Sequence, residues 1–345
     1  MKLFLVGGAR PNFIKLAPLV RACEKFDVEY KMVNTGQHYD FNLSDIFFDE
    51  LEMRKPDYHL GVGSSSHADQ TAKIMQGFEK ICLSDPPDIV VVVGDVNSTM
   101  ACSLVVSKMP DVKLAHVEAG LRCLDRNKPE EVNRIVTDML SNYLFTTVDY
   151  ATANLVNEHI SRDKIFLVGD LVLDNLIHYL PKIGSDDRDY VLATIHRPYS
   201  ADNPENLRNI LMALVNIAVD VDVIFPMHPR TKRRIKEFGF DSFKNALHVI
   251  EPVGYLDFIS LMVNSKAVIS DSGGVQVETT YLGKSCVSVM ETTSHLYTLN
   301  KGTNMLANYE NIYDVFKNHN KSNSYRDEYA DGKAAERIIK CLKES

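Results

Sequence analysis

Two acidic residues stand where an open α/β sheet would put reactive groups. Asp95 lies in Val93-Gly94-Asp95-Val96-Asn97-Ser98-Thr99 and Glu118 in His116-Val117-Glu118-Ala119-Gly120-Leu121-Arg122, each just after an apolar, β-rich run. If the two runs are neighbouring strands, both carboxylates project from one sheet edge. Repulsion and desolvation then drive their pKa values apart, which suits paired acid–base work. Plainer uses stay open: Asp95 as a cap for the helix starting at Asn97, or either acid as the partner of Arg122 or Arg134. A third acid, Glu130, opens the helix Pro129-Glu130-Glu131-Val132-Asn133-Arg134. Acidic residues suit a helix start, and Asn133 and Arg134, at i+3 and i+4, are expected to hold Glu130 in place.

A second group reads as anion-binding. Ala267-Val268-Ile269-Ser270 has the pattern of a buried strand, and Asp271-Ser272-Gly273-Gly274-Val275-Gln276-Val277-Glu278 opens a helix behind it. A helix start points N–H groups outward with an effective charge of roughly +0.5. Glycines let the chain come close, so Ser272, Gly273 and Gly274 form a cradle for a diphosphate. Glu278, a turn or more into the helix, is placed to accept from two ribose hydroxyls. The alternative is a tight turn whose glycine serves packing. Arg10 and Lys15, after the first strand, can both reach an anion or can simply be solvated. His196-Arg197 follows a strand, and His228-Pro229-Arg230 follows the next; both suit phosphate oxygens. His38, in Thr35-Gly36-Gln37-His38-Tyr39-Asp40, is a further cleft candidate or a locally satisfied loop histidine.

The elements that must carry these residues alternate between strand and helix almost throughout, the signature of parallel sheets with right-handed crossovers. The pattern predicts strands over 2–6, 28–34, 89–93, 113–117 and 144–148. It restarts around 166–174, with strands over 190–195, 221–225, 247–250 and 267–270 and a last one over 286–290. Helices are expected between them, with a loop and short helix over 40–51. The fold class is α/β: two Rossmann-like doubly wound domains facing a cleft, spanning 1–168 and 169–331, with an amphipathic helix over 332–345 returning to the first. Ligands then sit beyond the carboxyl ends of the strands.

A chain of 345 residues can bury two cores. Its net charge of −8 argues against general affinity for nucleic acid or anionic membrane. No apolar run approaches membrane-spanning length, and the first strand is too short for a signal peptide. The scattered cysteines form no C-x-x-C pair and fit reduced thiols in a cytoplasmic protein. The histidines lack zinc spacing, and the G-x-G-x-x-G, Walker A and G-x-S-x-G patterns are missing. No metal is expected.

In order and spacing, several segments together resemble the non-hydrolysing UDP-N-acetylglucosamine 2-epimerases over nearly the whole chain. They are Gly8-Ala9-Arg10-Pro11 with Lys15, Gly36-Gln37-His38, Gly94-Asp95, His116–Arg122, and Pro129-Glu130-Glu131 with Asn133-Arg134. His196-Arg197 and Asp271-Ser272-Gly273-Gly274 with Gln276 and Glu278 complete the set. The resemblance implies the GT-B architecture and interconversion of UDP-GlcNAc and UDP-ManNAc, or closely related sugars, for polysaccharide precursors, without metal, nicotinamide or other cofactor. UDP is eliminated to leave a 2-acetamidoglucal, then adds back as a proton arrives on the opposite face of C2. Asp95, Glu118 and Glu130 are implied as the catalytic carboxylates and His196 as the residue near the leaving diphosphate. Arg10, Ser272, Gly273 and Gly274 would hold phosphates, with Lys15 a further contact. Glu278 would hold the ribose, and the Val253–Phe258 turn, with Tyr255 and Phe258, the uracil. A cytoplasmic homodimer is implied, with a UDP-sugar as partner and neither nucleic acid nor membrane insertion.

One segment departs from the family pattern. Where the family usually reads Thr-Thr-Glu-Arg-Pro-Glu, this chain has Thr292-Thr293-Ser294-His295-Leu296-Tyr297. A charged hydrogen bond to phosphate is worth roughly 1.5–3 kcal/mol, and His295 replaces the missing arginine only when protonated. Three other readings therefore stay open. A hydrolysing epimerase would release UDP and a free ManNAc-type sugar, although its Arg-Gln-x-Gly-Arg signature is absent. A GT-B glycosyltransferase would leave the three first-domain carboxylates unexplained. A non-catalytic sugar-nucleotide binding protein would keep the cleft and lose turnover. Gly36-Gln37-His38, in place of the usual Ala-Gln-His, argues against activation by substrate.

Overall fold

The computed structural model describes residues 1–36, 48–186, 188–300, 302–318 and 324–344. His38 and most of the loop and short helix expected over 40–51 lie outside the described residues. The chain divides into two compact units, Met1–His178 with Glu328–Ser345, and Tyr179–Asp327.

In the first unit, seven parallel strands alternate with helices: β1 (Lys2–Gly7), β2 (Glu29–Asn34), β3 (Tyr58–His59), β4 (Ile89–Val93), β5 (Lys113–Val117), β6 (Tyr143–Thr146) and β7 (Ile165–Leu167). Their spatial order is β3-β2-β1-β4-β5-β6-β7. The helices are α1 (Arg10–Lys25), α2 (His67–Ser84), α3 (Asn97–Val106), α4 (Pro129–Leu140), α5 (Asp149–Asn157) and α6 (Leu171–Tyr179). All five residues of β4 are buried, as a strand covered on both faces by crossover helices requires. Phe4, Val6, Val90 and Val92 form a core with Ile74, Phe78, Ala101 and Val105.

The second unit repeats the plan with β8 (Tyr190–Thr194), β9 (Asp222–Pro226), β10 (His248–Ile250), β11 (Ala267–Ser270), β12 (Ser285–Val289) and β13 (Asn304–Ala307), in the order β10-β9-β8-β11-β12-β13. The helices that matter to the site are α7 (Pro198–Ala201), α8 (Pro204–Ala218), α9 (Pro229–Glu237), α10 (Tyr255–Asn264) and α11 (Gly273–Leu282). Asn203 starts α8 by accepting the N–H groups of Glu205 and Asn206 at 2.9 and 3.1 Å, the helix start that Asp202-Asn203-Pro204 announces.

Three features differ from the sequence expectation. The strand at 285–289 is followed by β13, which pairs parallel with it; this four-residue strand opens on a buried Asn304 and so lacks an apolar signature. The short β3 and β7 were likewise not expected. The division between the units falls at 178/179 and 327/328 rather than at 168/169 and 331/332, because α6 is tied into the first unit. Asn175 donates to the Ile14 carbonyl at 2.7 Å and accepts from Arg21 at 2.7 Å. Asp174 accepts the Ala334 and Ala335 N–H groups at 3.0 and 2.8 Å, capping the terminal helix (Ala334–Glu344).

Each sheet reverses its winding at one point, between β1 and β4 in the first unit and between β8 and β11 in the second. Open α/β sheets bind ligands at the carboxyl ends of the strands flanking such a reversal. Arg10 and Lys15 follow β1, Asp95 follows β4, His196 and Arg197 follow β8, and Ser272, Gly273 and Gly274 follow β11, whereas Glu118 and His228 follow the next strands out, β5 and β9.

Candidate active site

Glu118 follows β5 in a left-handed backbone conformation, φ +71°, which costs energy for any residue with a Cβ. The Glu118 and Ala119 N–H groups both donate to the Phe145 carbonyl at 3.1 Å, fixing the bend. Its carboxylate, 10% exposed, accepts a hydrogen bond from Lys15 Nζ at 2.6 Å. Gly94, φ +69°, makes room for this pair: a Cβ there would stand 3.1 Å from Lys15 Nζ and 3.6 Å from Glu118 Oε2. Asn12 anchors the start of α1 by donating to the Val93 carbonyl at 3.1 Å and accepting the Ala9 N–H at 3.0 Å. Burial alone would lower the Lys15 pKa, but Glu118, Asp95 and Asp170 raise it, so the ammonium persists.

Asp95 lies on the neighbouring strand end, since β4 and β5 pair directly. It pairs with Arg134, and its carbonyl accepts from Asn133 at 2.8 Å. The cap position of α3 belongs to Val96, with no side-chain cap bond. Arg134 also donates to Glu131 at 2.8 Å, so it serves Asp95 and Glu131 rather than holding Glu130 as the spacing predicts. The reason is orientation: Glu131 is 1% exposed and points into the unit. There its carboxylate accepts the Cys123 N–H at 3.1 Å and the Leu124 N–H at 2.9 Å, fixing a loop in which Leu124 has φ +60°. Glu130 is half-buried, and its Oε2 accepts no hydrogen bond among the described residues. Of the two adjacent acids, Glu131 is saturated by backbone N–H groups and Arg134, while Glu130 keeps an oxygen with no hydrogen bond among the described residues. Arg122 pairs with Asp138 and Glu158 at 2.7 Å, away from these acids. Arg10 is half-buried at the first position of α1.

In the second unit, Asp271 organises the site. Fully buried after β11, it accepts the His196 N–H at 3.0 Å and the Arg197 N–H at 2.8 Å, and its Oδ1 lies 3.1 Å from His196 Nδ1. Burial pushes its carboxyl up, yet His196 and the Arg197 amide outweigh that and hold it down at about 2. The imidazole, its Nδ1 side held and the ring 35% exposed, is set to present Nε2. His228 lies beside it, with ring centroids 5.7 Å apart, and caps α9 by accepting the Arg230 N–H at 3.2 Å.

Ser272, Gly273 and Gly274 form the start of α11, as the sequence predicts. His295 lies directly over this turn: a Cβ on Gly273 would be 3.0 Å from His295 Nε2 and 4.0 Å from an Arg197 nitrogen. The His295 segment is tied down, its N–H donating to Thr293 Oγ1 at 3.0 Å while Thr293 donates to buried Gln276 at 2.7 Å. The His295 imidazole and an Arg197 nitrogen thus both approach the Gly273 turn. Further along α11, buried Glu278 accepts from Tyr255 of α10 at 3.1 Å, with Phe258 half-buried one turn on.

Two contributors were not singled out from sequence. Asp271 belongs to the glycine-turn segment, but its hold on His196 depends on the pairing of β8 with β11. Asp170 has no motif; burial and then Glu118 push its carboxyl up to about 7. Among the described residues there is no group of three or more His, Cys, Asp and Glu able to hold a metal ion, and no helix is long and apolar enough to cross a membrane.

The chain has well-described relatives. A family model for UDP-N-acetylglucosamine 2-epimerase matches residues 21–343. A UDP-N-acetylglucosamine 2-epimerase of Methanocaldococcus jannaschii is 40% identical over 363 residues, covering 99% of each chain. A UDP-2,3-diacetamido-2,3-dideoxy-D-glucuronate 2-epimerase of Pseudomonas aeruginosa is 40% identical over 315 residues, covering 89% of this chain and 88% of its own. The crystal structure of the Methanocaldococcus jannaschii UDP-GlcNAc 2-epimerase in complex with UDP-GlcNAc and UDP matches with a TM-score of 0.92 at 39% identity over 100% of both chains.

Proposed function

The chain belongs to the UDP-N-acetylglucosamine 2-epimerase family, with two Rossmann-like units of the GT-B type, and from that premise we propose how it works on UDP-GlcNAc. The reaction inverts C2 of the sugar. The C2–H bond breaks as a carboxylate takes the proton, and the C1–O bond breaks as its electron pair leaves with the UDP β-phosphate. The resulting 2-acetamidoglucal is attacked again at C1 by UDP while a proton is delivered to the other face of C2, giving UDP-ManNAc. No redox step occurs, so no electron carrier is called for.

The observation that carries this reading is the set of carboxyl groups with unlike partners after β4 and β5. Glu118 is bound to an ammonium, Asp95 to a guanidinium, and Glu130 keeps a buried oxygen that accepts no hydrogen bond among the described residues. Carboxyl groups with different partners, held near one another, suit removal of one proton and delivery of another. We assign proton transfer to Asp95, Glu118 and Glu130, with Lys15 hydrogen-bonded to Glu118 and fixing its carboxylate in place. His196, oriented by Asp271, meets the leaving diphosphate. The N–H groups of Ser272, Gly273 and Gly274, with Arg10, Arg197 and His295, balance its charge, and Glu278 with Tyr255 takes the ribose. We place the enzyme in the cytoplasm as a homodimer, on the strength of the family resemblance.

A second substrate reading has its own support. The Pseudomonas relative acts, by its name, on a UDP-2-acetamido sugar carrying a further acetamido group and a carboxylate, and its aligned residues are 40% identical to this chain, as are those of the Methanocaldococcus epimerase over a longer stretch. Incubation with UDP-GlcNAc, followed by chromatography, tests the proposal. A mixture of UDP-GlcNAc and UDP-ManNAc with constant total UDP-sugar is expected. UDP released in step with free ManNAc would identify a hydrolysing enzyme. Conversion of the diacetamido glucuronate alone would identify the second substrate, and binding without conversion of either would identify a sugar-nucleotide binding protein.

A further inference from the structure

His116 and Asp138 are buried residues to which the reaction above gives no part. His116 lies on β5, two residues before Glu118, and Asp138 lies on α4, the helix that carries Glu130 and Arg134. Nδ1 of the imidazole is 2.6 Å from Asp138 Oδ1, and Nε2 is 2.9 Å from the Gly94 carbonyl oxygen. Burial pushes the Asp138 carboxyl up, but His116 and Arg122 outweigh it and hold the group below the usual carboxylate range. A carboxylate and a carbonyl can only accept, so each ring nitrogen donates and the ring carries both hydrogens. With Arg122 2.7 Å from Asp138 Oδ2, this is a charged cluster in the interior. Apolar side chains of the same volume often pack as stably; what they lack is direction.

The direction is that of the two turns carrying the acids. Gly94, φ +69°, immediately precedes Asp95, so a donor on its carbonyl fixes the plane of the Gly94–Asp95 peptide. The carbonyls on either side are fixed too. Val93 accepts from Asn12 at 3.1 Å and from Thr99 Oγ1 at 3.0 Å, and Asp95 accepts from Asn133 at 2.8 Å. Asp138 reaches the second turn as well: its Oδ2 accepts the Gly120 N–H at 3.1 Å, two residues past Glu118. Gly120 has φ +77°, a Cβ there would stand 2.2 Å from the Ala151 carbonyl oxygen, and its own carbonyl accepts from Asn154 at 2.9 Å. One carboxylate on α4 therefore sets both turns, one directly and one through an imidazole. The same helix holds Asp95 itself through Asn133 and Arg134.

We infer that the Asp138–His116 pair is a positioning unit for the epimerase chemistry: it fixes the Gly94–Asp95 peptide against the Glu118 turn, so that the two acids meet the sugar at a set separation. The inference rests on the epimerase reading. Neither residue is among those assigned to UDP, so their loss should slow turnover and leave nucleotide affinity alone. A displacement of about 1 Å at a reacting group can cost roughly 10²-fold in rate.

Two measurements test this. His116→Gln keeps one donor where the imidazole has two. It should lower kcat roughly 10–100-fold, while KM and the calorimetric affinity for UDP stay within about twofold of wild type. In an Asp95→Asn background, where the acid to be placed is already gone, the same substitution should cost less than about twofold. Equal losses in both backgrounds would overturn the proposal, as would weakened UDP binding with kcat unchanged. The second measurement uses wild-type protein without substrate, its histidine rings labelled for nitrogen NMR at neutral pH. It should show a ring with hydrogen on both nitrogens, exchanging slowly with water. Absence of such a ring would overturn the proposal even where the variant fails to fold. A wild type that does not turn over UDP-sugars would instead remove the epimerase reading, and the positioning role with it.

Discussion

Lys15 Nζ lies 2.6 Å from Glu118 Oε2, joining the second turn of α1 to the bend after β5 across the β1/β4 reversal. The contact gives a buried carboxylate its cation. Removing the cation while leaving the acid strands a buried carboxylate without its partner. Lys15→Met is therefore expected to cut kcat by roughly 10²-fold or more, comparable to Glu118→Gln, since acid–base groups contribute about 10²–10⁴. Stopped assays at several pH values check this; Lys15→Met with near-normal kcat would show that Glu118 needs no partner.

The neighbours Glu130 and Glu131 should separate cleanly. Glu131→Gln disturbs a carboxylate that holds two backbone N–H groups and Arg134, so it should lower stability by about 1–3 kcal/mol. Glu130→Gln alters a group whose Oε2 has no partner among the described residues. It should leave the melting curve nearly unchanged while slowing turnover by roughly 10²-fold. Denaturant melts and initial rates on both variants decide the matter, and the reverse pattern would exchange their roles.

His295 over Gly273 should set affinity for UDP. His295→Ala is expected to weaken UDP binding roughly tenfold, the lower end of a charged phosphate hydrogen bond, whereas His295→Arg should bind at least as tightly as wild type. Gly273→Ala should weaken binding too, because its Cβ would meet the imidazole at 3.0 Å. Calorimetric titration with UDP reads all three. Equal affinity across the set would show that His295 does not face the diphosphate.

The Asp271–His196 pair makes a stability prediction with a definite sign. The folded Asp271 carboxyl, at about 2, lies below its ordinary 3.8, so the folded state binds that proton less readily than the unfolded one. Its stabilisation is complete above about pH 4 and is lost as the pH falls through about 2; the difference corresponds to about 2 kcal/mol. Acid unfolding of wild type against Asp271→Asn measures it. The variant should lose stability at neutral pH and show a flatter acid limb.

Much of this was legible in sequence where a single element carries the signal. The run Ile89–Val93 is a central strand because five consecutive β-branched residues suit burial on both faces, and the Ser272–Gly274 turn follows from glycines after an apolar run. Signals that depend on folding were weaker. The spacing of Glu130 and Arg134 is right for a helix pair, yet Arg134 reaches Glu131 and across to Asp95 instead. Asp170 carries no pattern because its raised carboxyl comes from burial, which only the packed fold creates. β13 and β7 are too short, or too polar at their ends, to rise above the loops around them. The unit boundary was misplaced because Asp174 and Asn175 tie α6 backward, through bonds spanning more than a hundred residues.

The central claim is that one hydrogen next to the anomeric carbon is removed and replaced while UDP stays with the enzyme. Proton NMR of UDP-GlcNAc incubated with the protein in deuterium oxide reads this directly. The account predicts loss of the C2 proton signal, deuterium at C2 in both UDP-GlcNAc and UDP-ManNAc, and no exchange with Glu118→Gln. UDP-ManNAc formed with its C2 proton retained, or no exchange in any UDP-2-acetamido sugar, would contradict it.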